Sequence, residues 1–321
     1  MDQKVVPDLL SAWSITLGEV VESVNNGSVV TIRTAEGEVL VLKDHGVAPE
    51  RQRRFAFCGA IVRHLDAAGV PVALPRRTGD GCDGLVRDGH LFTLSQHLRQ
   101  GRVAVDPAGR AEWLRNCGRA VAKLHAALAT YNVTGNEGAV WKENIPEAVV
   151  DWVSNIRQHV TGERRLRFES DVAAVLDELR QALRDLPTQL IHRDCHTGNV
   201  LFDGTEVTGF VDCDHFCIGP RLFDVAYFTV HLIKWEVRKP GMPERWLTEF
   251  PRILEGYDEV SRLTPGERVA FPYLMMAILI LFASYLASTG RPERVPVELD
   301  ALSWLRDNLP AVQEAAATPS P

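Results

Sequence analysis

The spacing of apolar and polar residues divides the chain into a strand-rich first third and a helical remainder. Ser28–Thr34 and Glu38–Lys43 are runs rich in β-branched and apolar residues on either side of the turn Ala35-Glu36-Gly37, which predicts the two strands of a hairpin. A helical spacing follows over Glu50–Ala68 and ends at Gly69. Three short strands are then predicted, at Val70–Leu74, Gly84–Arg87 and His90–Ser95.

Beyond Gly101 the apolar residues recur at helical intervals, apart from one interruption. Over Leu190–Asp214, short apolar runs are separated by polar residues, a pattern that predicts a loop and a small hairpin carrying functional groups. The change of pattern near residues 96–101 predicts an N-terminal unit, residues 1–98, and a C-terminal unit, residues 99–321. Helices are predicted at Asp106–His125, Ile145–His159, Asp171–Leu186 and through most of Leu222–Leu309.

The composition narrows the class of protein. A length of 321 residues with 45% hydrophobic and 24% charged residues is typical of a globular protein of two domains or lobes. The net charge of −7 argues against sequence-independent nucleic-acid binding and against attraction to anionic membranes. Six cysteines without a C-x-x-C pair, and an N-terminus without a secretory pattern, predict a reduced, cytoplasmic protein.

One uncharged segment, Val269–Gly290, is long enough to cross a membrane. Pro272 stands near its start, and the densely apolar part, Tyr273–Ala287, is shorter than a bilayer requires. We therefore expect a buried core helix and no membrane partner.

The candidate chemistry lies in the interruption. Leu190–Asn199 reads L-I-H-R-D-C-H-T-G-N and contains H-x-D-x-x-x-x-N, and V-D-C-D follows at Val211–Asp214. Together with R-L-F-D-V-A at Arg221–Ala226 and G-R-A-V-A-K-L-H at Gly118–His125, these motifs resemble the aminoglycoside phosphotransferase and choline kinase family, relatives of the protein kinases. The resemblance covers nearly the whole chain and is most specific in its middle third. It implies an α+β, two-lobed protein-kinase-like fold, with a small β-rich lobe over a larger helical one.

Phosphoryl transfer requires positioned groups and cations to oppose the developing negative charge, more than covalent help from the protein. Asp194 is placed to face the acceptor hydroxyl as the catalytic carboxylate, and Asn199 and Asp212 are candidate Mg²⁺ ligands, with Asp214 as a possible additional ligand. Two further motif residues are His192 and Asp224. The resemblance implies that they have structural roles and hold the backbone of the loop. Arg193 departs from the family's commoner glycine.

The expected nucleotide-binding residues lie in the first hundred positions. Lys43 ends an apolar strand, where the resemblance implies contact with the phosphates of ATP, although a solvated hairpin lysine has the same pattern. Glu50 is its candidate partner, although an acid near a helix start is also favoured by the helix dipole. Ser28, after Asn25-Asn26-Gly27, is the candidate phosphate-covering position or merely part of a hairpin turn. The candidate hinge to adenine comprises Ser95, Gln96 and His97.

Three features favour a small-molecule acceptor over a protein. His196 stands two residues after Asp194, where serine/threonine protein kinases usually have lysine, and the metal strand reads D-C-D instead of D-F-G. Asp224 follows Asp212 by only twelve residues, which is too few for an activation loop. Zinc binding by Cys213, His215 and Cys217 and thiol catalysis by Cys195 are disfavoured alternatives, because a second ligand pair and a suitably placed base are lacking.

The sequence thus predicts an ATP-dependent O-phosphotransferase that modifies a hydroxyl of an antibiotic of aminoglycoside type or of another amino or sugar compound. A metabolic kinase of homoserine or choline type is an alternative, and a nucleotide-binding pseudokinase is an alternative of another class. GTP in place of ATP, and the oligomeric state, stay open. Residues 101–321 carry a net charge of −6, which favours a cationic acceptor or a merely solvated surface. The local acids of that region are Glu244, Glu249, Glu255, Asp258 and Glu259.

Overall fold

The computed structural model describes residues 3–47, 49–102, 106–134, 140–234 and 242–317. The strands are β1 (Leu17–Val24), β2 (Val29–Thr34), β3 (Val39–Val47), β4 (Leu85–Arg87), β5 (His90–Gln96), β6 (Thr188–Ile191), β7 (Val200–Asp203), β8 (Glu206–Phe210) and β9 (Cys217–Pro220). The helices are α1 (Val6–Leu10), α2 (Pro49–Ala67), α3 (Pro107–Ala129), α4 (Ile145–His159), α5 (Gly162–Leu183), α6 (Leu222–Ile233), α7 (Met242–Glu249), α8 (Pro251–Asp258), α9 (Pro265–Ser288), α10 (Val295–Asp307) and α11 (Leu309–Ala317).

The N-terminal part is a five-stranded antiparallel sheet in the order β1-β2-β3-β5-β4. Alternate residues of its central strands, such as Ile32, Leu42 and Leu94, are fully buried against α1 and Trp13. Since successive side chains of a strand point to opposite faces, Lys43 lies on the face opposite to Leu42.

The predicted hairpin and helix of this part match β2, β3 and α2 within a few residues, but Val70–Leu74 is not a strand. Only Val72 forms an isolated bridge there, to Phe210, because Pro71 and Pro75 cannot donate to a ladder. The sequence pattern did not reveal β1, since its residues are mostly exposed and show no alternation of burial.

The C-terminal part is helical around α9, which packs against α4, α5, α6, α10 and α11. This helix has a mean hydropathy of 2.1 and sufficient length to span a membrane, but 72% of its most apolar stretch is buried inside the protein. It is therefore the core helix that the sequence predicts. Helix α5 begins nine residues before its predicted start, because charged residues such as Arg164, Arg165 and Glu169 obscure the apolar period there.

The architecture is α+β with two lobes, which confirms the predicted fold class. The division at residues 98 and 99 stays a prediction. The segment that interrupts the helical pattern forms two small antiparallel pairs, β6 with β9 and β7 with β8. The loops between these strands carry the candidate chemistry.

Candidate functional site

The loop that joins β6 to β7 is held in a strained conformation. Arg193 has a φ angle of +75°, in the left-handed region that costs a non-glycine residue free energy. The buried carboxylate of Asp224, in the first turn of α6, accepts the backbone N–H groups of His192 and Arg193, each at 2.8 Å. These two hydrogen bonds compensate for the strain and fix the start of the loop.

Asp224 is itself fixed by a buried chain of hydrogen bonds. Its Oδ2 lies 2.9 Å from His125 Nε2, and His125 Nδ1 lies 2.8 Å from the hydroxyl of Tyr257. Burial raises the pKa of Asp224, but hydrogen bonding and charge interaction with His125 outweigh it, so the pKa lies below its ordinary value. Asp224 is therefore an anion that supports the loop.

His192 faces the protein interior and is fully buried. Its Nδ1 accepts the backbone N–H of Asp194 at 3.3 Å, and its Nε2 lies 3.5 Å from the Sγ of Cys213. The ring packs edge-on against Phe216, with 5.6 Å between centroids. These contacts tie the loop to the D-C-D segment and leave His192 no access to a substrate.

The side chain of Arg193 has partners that glycine would lack. Its Nε donates to Glu143 Oε1 at 2.6 Å, and its guanidinium lies 4.7 Å from the ring centroid of Phe223. The left-handed φ angle explains why glycine suits this position, and the two contacts explain how arginine is tolerated here.

Asp194 and Asn199 are joined directly across the loop. Asn199 Nδ2 donates to Asp194 Oδ2 at 2.7 Å and to the Asp194 backbone carbonyl at 2.9 Å. Because both amide hydrogens are used in this way, the side-chain oxygen of Asn199 is left as an acceptor or ligand. The sequence spacing of five residues thus brings the carboxylate and the amide together.

Lys43 connects the N-terminal sheet to the D-C-D segment. Its Nζ donates to Asp212 and, at 3.3 Å, to Asp214 Oδ2. Burial lowers the pKa of Lys43, but the charges of both aspartates outweigh it and the pKa is raised. Burial likewise raises the pKa of Asp214, whereas His45, with Nδ1 at 3.5 Å, and Lys43 bring it far below its ordinary value.

A cavity of about 450 Å³ lies between the sheet and the loops, within the range of volumes found for ligand sites. Its lining brings together most of the residues that the sequence predicts, namely Ser28, Lys43, Ser95, Gln96, His97, Asn199, Asp212 and Asp214. These residues come from the turn before β2, from β3, from β5 and the residue after it, from the loop between β6 and β7, and from the loop between β8 and β9. The cavity is therefore the candidate nucleotide site.

Two predicted roles in this cleft stay predictions. Ser28 lines the cavity, but its backbone N–H donates to Asn25 O at 3.1 Å within its own turn, so contact with a phosphate would require this hydrogen bond to open. Asn25, Asn26 and Gly27 all have positive φ angles, which give the turn its tight form. The side chain of Glu50 lies outside the described residues, and its pairing with Lys43 stays a prediction.

Arg54 is a cleft residue that the sequence analysis missed. From α2, its Nε donates to Asp214 O at 2.9 Å and an Nη donates to Phe216 O at 3.3 Å. The guanidinium lies 3.6 Å from the ring centroid of Trp141. Arg54 thus holds the backbone that follows Asp212 against α2. The sequence gives no signal for this role, because Arg54 is one of three arginines within residues 51–54.

Next to Asp194 lies a group of packed rings that do not line the cavity, the aromatic wall, which consists of His196, Tyr227, His231 and Phe282. His196 Nε2 lies 3.8 Å from Asp194 Oδ2, and the His196 ring stacks on His231 at 4.9 Å. The ring of Tyr227 packs edge-on against His196, at 5.7 Å, and stacks on Phe282, at 4.7 Å. Burial lowers the pKa of His196 and lowers that of His231 to about 3, so both imidazoles are neutral at pH 7.

Comparison with known proteins identifies the family. Residues 19–263 match the family model APH, the phosphotransferase enzyme family. The chain belongs to the APH phosphotransferase family. It is 26% identical to the homoserine kinase of Zymomonas mobilis over 278 residues, which cover 85% of this chain and 79% of the relative.

Solved structures of other phosphotransferases share the fold. The amicoumacin kinase hAmiN in complex with AMP-PNP, Ca²⁺ and Ami gives a TM-score of 0.70 at 18% identity, covering 94% of this chain and 93% of that one. A microcompartment-associated aminopropanol kinase gives 0.71 at 14% identity, covering 97% of this chain and 99% of that one. The predicted resemblance and enzyme class are confirmed: this protein is an ATP-dependent phosphotransferase that acts on hydroxyl groups of small molecules.

The residues of this phosphotransferase fit a divalent cation. The side-chain oxygen of Asn199 and the carboxylates of Asp212 and Asp214 are hard oxygen ligands of the kind that divalent cations prefer. In this structure the ammonium group of Lys43 balances the negative charge of the two carboxylates. Asp214 Oδ1 is buried and accepts no hydrogen bond from the described residues, although His215 Nε2 lies 3.3 Å away. A buried carboxylate oxygen without a donor is suited to a cation.

Two other features of the phosphotransferase have structural explanations. Four of the five local acids form ion pairs with arginines, three of which lie on α3 and one on α9: Glu249 with Arg110, Glu255 with Arg115, Glu259 with Arg119 and Asp258 with Arg268. The possibility that these acids line an acceptor pocket is therefore not supported. Burial raises the pKa of the Cys195 thiol well above its ordinary value, which makes it a poor nucleophile.

Proposed function

We propose that this phosphotransferase transfers the γ-phosphate of Mg²⁺–ATP to the hydroxyl of a small amino alcohol or hydroxy amino acid of homoserine type. The observation that carries the chemistry is the convergence of Asp194, Asn199, Asp212 and Lys43 at the edge of one cavity. All four residue types are those that a working kinase requires, which argues against a pseudokinase.

Asp194 is the proposed catalytic residue. Its carboxylate accepts a hydrogen bond from Asn199, which lines the nucleotide cavity, and lies 3.8 Å from His196, which does not line it, so we place the acceptor hydroxyl beside His196. As the acceptor oxygen forms its bond to the γ-phosphorus, the bond from that phosphorus to the β,γ-bridging oxygen breaks and ADP leaves with the electron pair. The hydroxyl proton passes to Asp194 Oδ, which orients the oxygen before transfer.

The proposed ligands of Mg²⁺ are the Asn199 side-chain oxygen and Asp212, with Asp214 as a further candidate. When bound, the cation neutralises negative charge on the transferring phosphoryl group. A cation held by Asp212 and Asp214 would replace the Lys43 ammonium as their positive partner, and Lys43 would then be available to the phosphates of ATP. Ser95, Gln96 and His97 line the end of the cavity proposed for the nucleotide base.

Two observations favour a small amino alcohol over an aminoglycoside-type antibiotic. The homoserine kinase relative matches over most of both chains, whereas the antibiotic kinase shares the fold at 18% identity. Four of the five local acids that could attract a polycationic antibiotic are paired with arginines. The second candidate, an antibiotic kinase, retains the support of the fold alone.

The test is ADP release by purified protein with Mg²⁺ and ATP, over a panel of homoserine, choline, aminopropanol, simple sugars and aminoglycosides. Release that depends on homoserine or aminopropanol is expected, and Asp194→Asn should lower kcat by about 10²- to 10⁴-fold while ATP binding persists. Preferential release with an aminoglycoside would establish the antibiotic kinase instead. ATP binding without release for any acceptor would favour the pseudokinase.

A further inference from the structure

A buried ion pair lies at the far end of the aromatic wall beside Asp194. Lys234, directly after α6, and Glu298, in the first turn of α10, are 7% and 3% exposed. Lys234 Nζ lies 3.3 Å from Glu298 Oε1 and 5.5 Å from the ring centroid of Phe282. This distance is longer than the 2.7–2.9 Å usual for a charge-assisted hydrogen bond.

The second oxygen of Glu298 is unused. Among the residues that the structure describes, none donates a hydrogen bond to Glu298 Oε2, which is shielded from solvent. A buried carboxylate oxygen without a donor carries a desolvation penalty, and such groups are rare unless a ligand or a functional requirement accounts for them. Glu298 therefore retains capacity for a cationic donor.

The pair is within electrostatic reach of the groups that touch Asp194. Burial raises the pKa of Tyr227, and the charges of Asp194 and Glu298 raise it further, so the tyrosine lies within electrostatic reach of both carboxylates. The charge of Lys234 likewise acts on His196 and His231. A continuous wall thus runs from Asp194, past His196 and Tyr227, to the ion pair.

We propose that Lys234 and Glu298 bind the charged head group of the acceptor, and that the acceptor is a hydroxy amino acid whose hydroxyl lies at Asp194. The inference rests on the proposed function and assigns the residues that determine its specificity. Glu298 Oε2 takes the ammonium group and Lys234 takes the carboxylate. The two residues present one charge of each sign, which matches both groups of an amino acid, whereas an amine or an acid alone matches one.

The arrangement also accounts for the neutral wall. Histidine and tyrosine rings without charge can pack against the short carbon chain between hydroxyl and head group, and they leave the charge recognition to the ion pair. A polycationic sugar would place several ammonium groups against a Lys234 ammonium that is buried and paired, which disfavours it.

The first experiment measures kcat/KM of the wild-type protein with Mg²⁺–ATP for three matched acceptors. L-Homoserine has both head-group charges, 4-hydroxybutyrate lacks the ammonium group and 3-amino-1-propanol lacks the carboxylate. We expect homoserine to exceed each analogue by about tenfold or more, because each lost contact involves a charged hydrogen bond. Equal rates for all three would overturn the inference while leaving a small-alcohol kinase intact.

The second experiment pairs each charge with its residue. Glu298→Gln should lower kcat/KM for homoserine by about tenfold or more and change the value for 4-hydroxybutyrate little. Lys234→Met should lower kcat/KM for homoserine by about tenfold or more and change the value for 3-amino-1-propanol little, so that the preference between these two acceptors is lost. In both variants the KM for ATP should stay unchanged, since neither residue lines the nucleotide cavity.

Glu267→Gln is the matched control, because Glu267 is also a buried carboxylate, paired with Arg221 and remote from the wall. We expect it to lower the melting temperature without altering the ratio of the three acceptors. If Glu298→Gln and Lys234→Met behave like this control, the pair is structural and the inference is wrong. No turnover with any acceptor in the wild type, with ATP bound, would overturn the proposed function and this inference together.

Discussion

The two sides of Asp194 are constructed differently. On the nucleotide side, Asn199 and Asp212 follow Asp194 within eighteen residues, and a single long-range partner, Lys43, completes the group. On the acceptor side, the wall draws on the catalytic loop, α6, α9 and α10, which span more than a hundred residues of sequence. In the proposed site, the residues for phosphoryl transfer are thus close together in sequence, whereas the residues proposed to recognise the acceptor are brought together by helix packing.

Asp224 belongs to both sides, and its removal should have the largest effect. Asp224→Asn would set an amide against the two backbone N–H groups and against His125, and it would release the strained Arg193. We expect the free energy of unfolding to fall by about 3–5 kcal/mol, as when a buried charge pair is broken, together with a loss of kcat. Urea unfolding and kcat measured well below the melting temperature would show both effects.

The control for Asp224→Asn is Asp171→Asn, a buried carboxylate on α5 that contacts Arg306 and Ser303. It should lose stability and keep its kcat. If Asp224→Asn retained full kcat in the folded state, the hydrogen bonds from the loop backbone to Asp224 would be dispensable for the geometry of Asp194.

An intermediate effect is expected on the nucleotide side alone. Arg54→Gln removes the hydrogen bonds to the carbonyl groups of Asp214 and Phe216, which hold the D-C-D segment. One lost charged hydrogen bond corresponds to about a tenfold change, so kcat/KM for ATP should fall by roughly that factor. The relative rates of different acceptors should not change, because Arg54 lies on the nucleotide side.

Arg63→Gln is the comparison for Arg54→Gln, since Arg63 lies on the same helix but contacts Pro75 and Asp83 within the N-terminal part. Its expected effect is on stability, not on kcat/KM for ATP. A shift of acceptor preference in Arg54→Gln would show that the two sides are coupled more strongly than their construction indicates.

The smallest effect concerns pH on the acceptor side. Burial lowers the pKa of His231 from its ordinary 6.5 to about 3. Between these values the unfolded chain binds a proton that the folded chain does not, so stability falls as the pH drops below 6.5, by up to about 1.4 kcal/mol per pH unit. Above pH 7 this contribution is constant.

His231→Gln should flatten the decrease of the unfolding free energy between pH 6.5 and pH 5, measured by urea titration at several pH values. His159→Gln, at the exposed end of α4, serves as the comparison and should leave the slope as in the wild type. An unchanged slope in His231→Gln would mean that its imidazole is protonated alike in both states.

The same division explains what the sequence could predict. The sequence predicts Asp194, Asn199 and Asp212 because they stand at a fixed spacing in a short loop and the hairpin that follows it. It predicts Lys43 because this residue ends a recognisable apolar run. The phosphate-covering role of Ser28 stays a prediction, since no sequence pattern shows that the N–H group of this residue is used within its own turn.

The acceptor wall could not be predicted in this way. Tyr227, His231 and Phe282 have the spacing of ordinary helical core residues, and Glu298 has the position of an acid that suits a helix start. Only the packing of α6, α9 and α10 distinguishes them from such residues. Arg193 is intermediate: its departure from glycine was visible, but the partners that allow it, Glu143 and Phe223, are distant in sequence or unmarked.

The central position of α9 has a consequence for the synthesis of the protein. Its apolar surface is covered in part by α10 and α11, which are translated after it. At 5–20 residues per second, the 29 residues from Thr289 to Ala317 take roughly one and a half to six seconds to add. For that interval the nascent chain carries a membrane-like segment without its cover, so the ribosome-bound intermediate should be a preferred client of chaperones that recognise apolar helices.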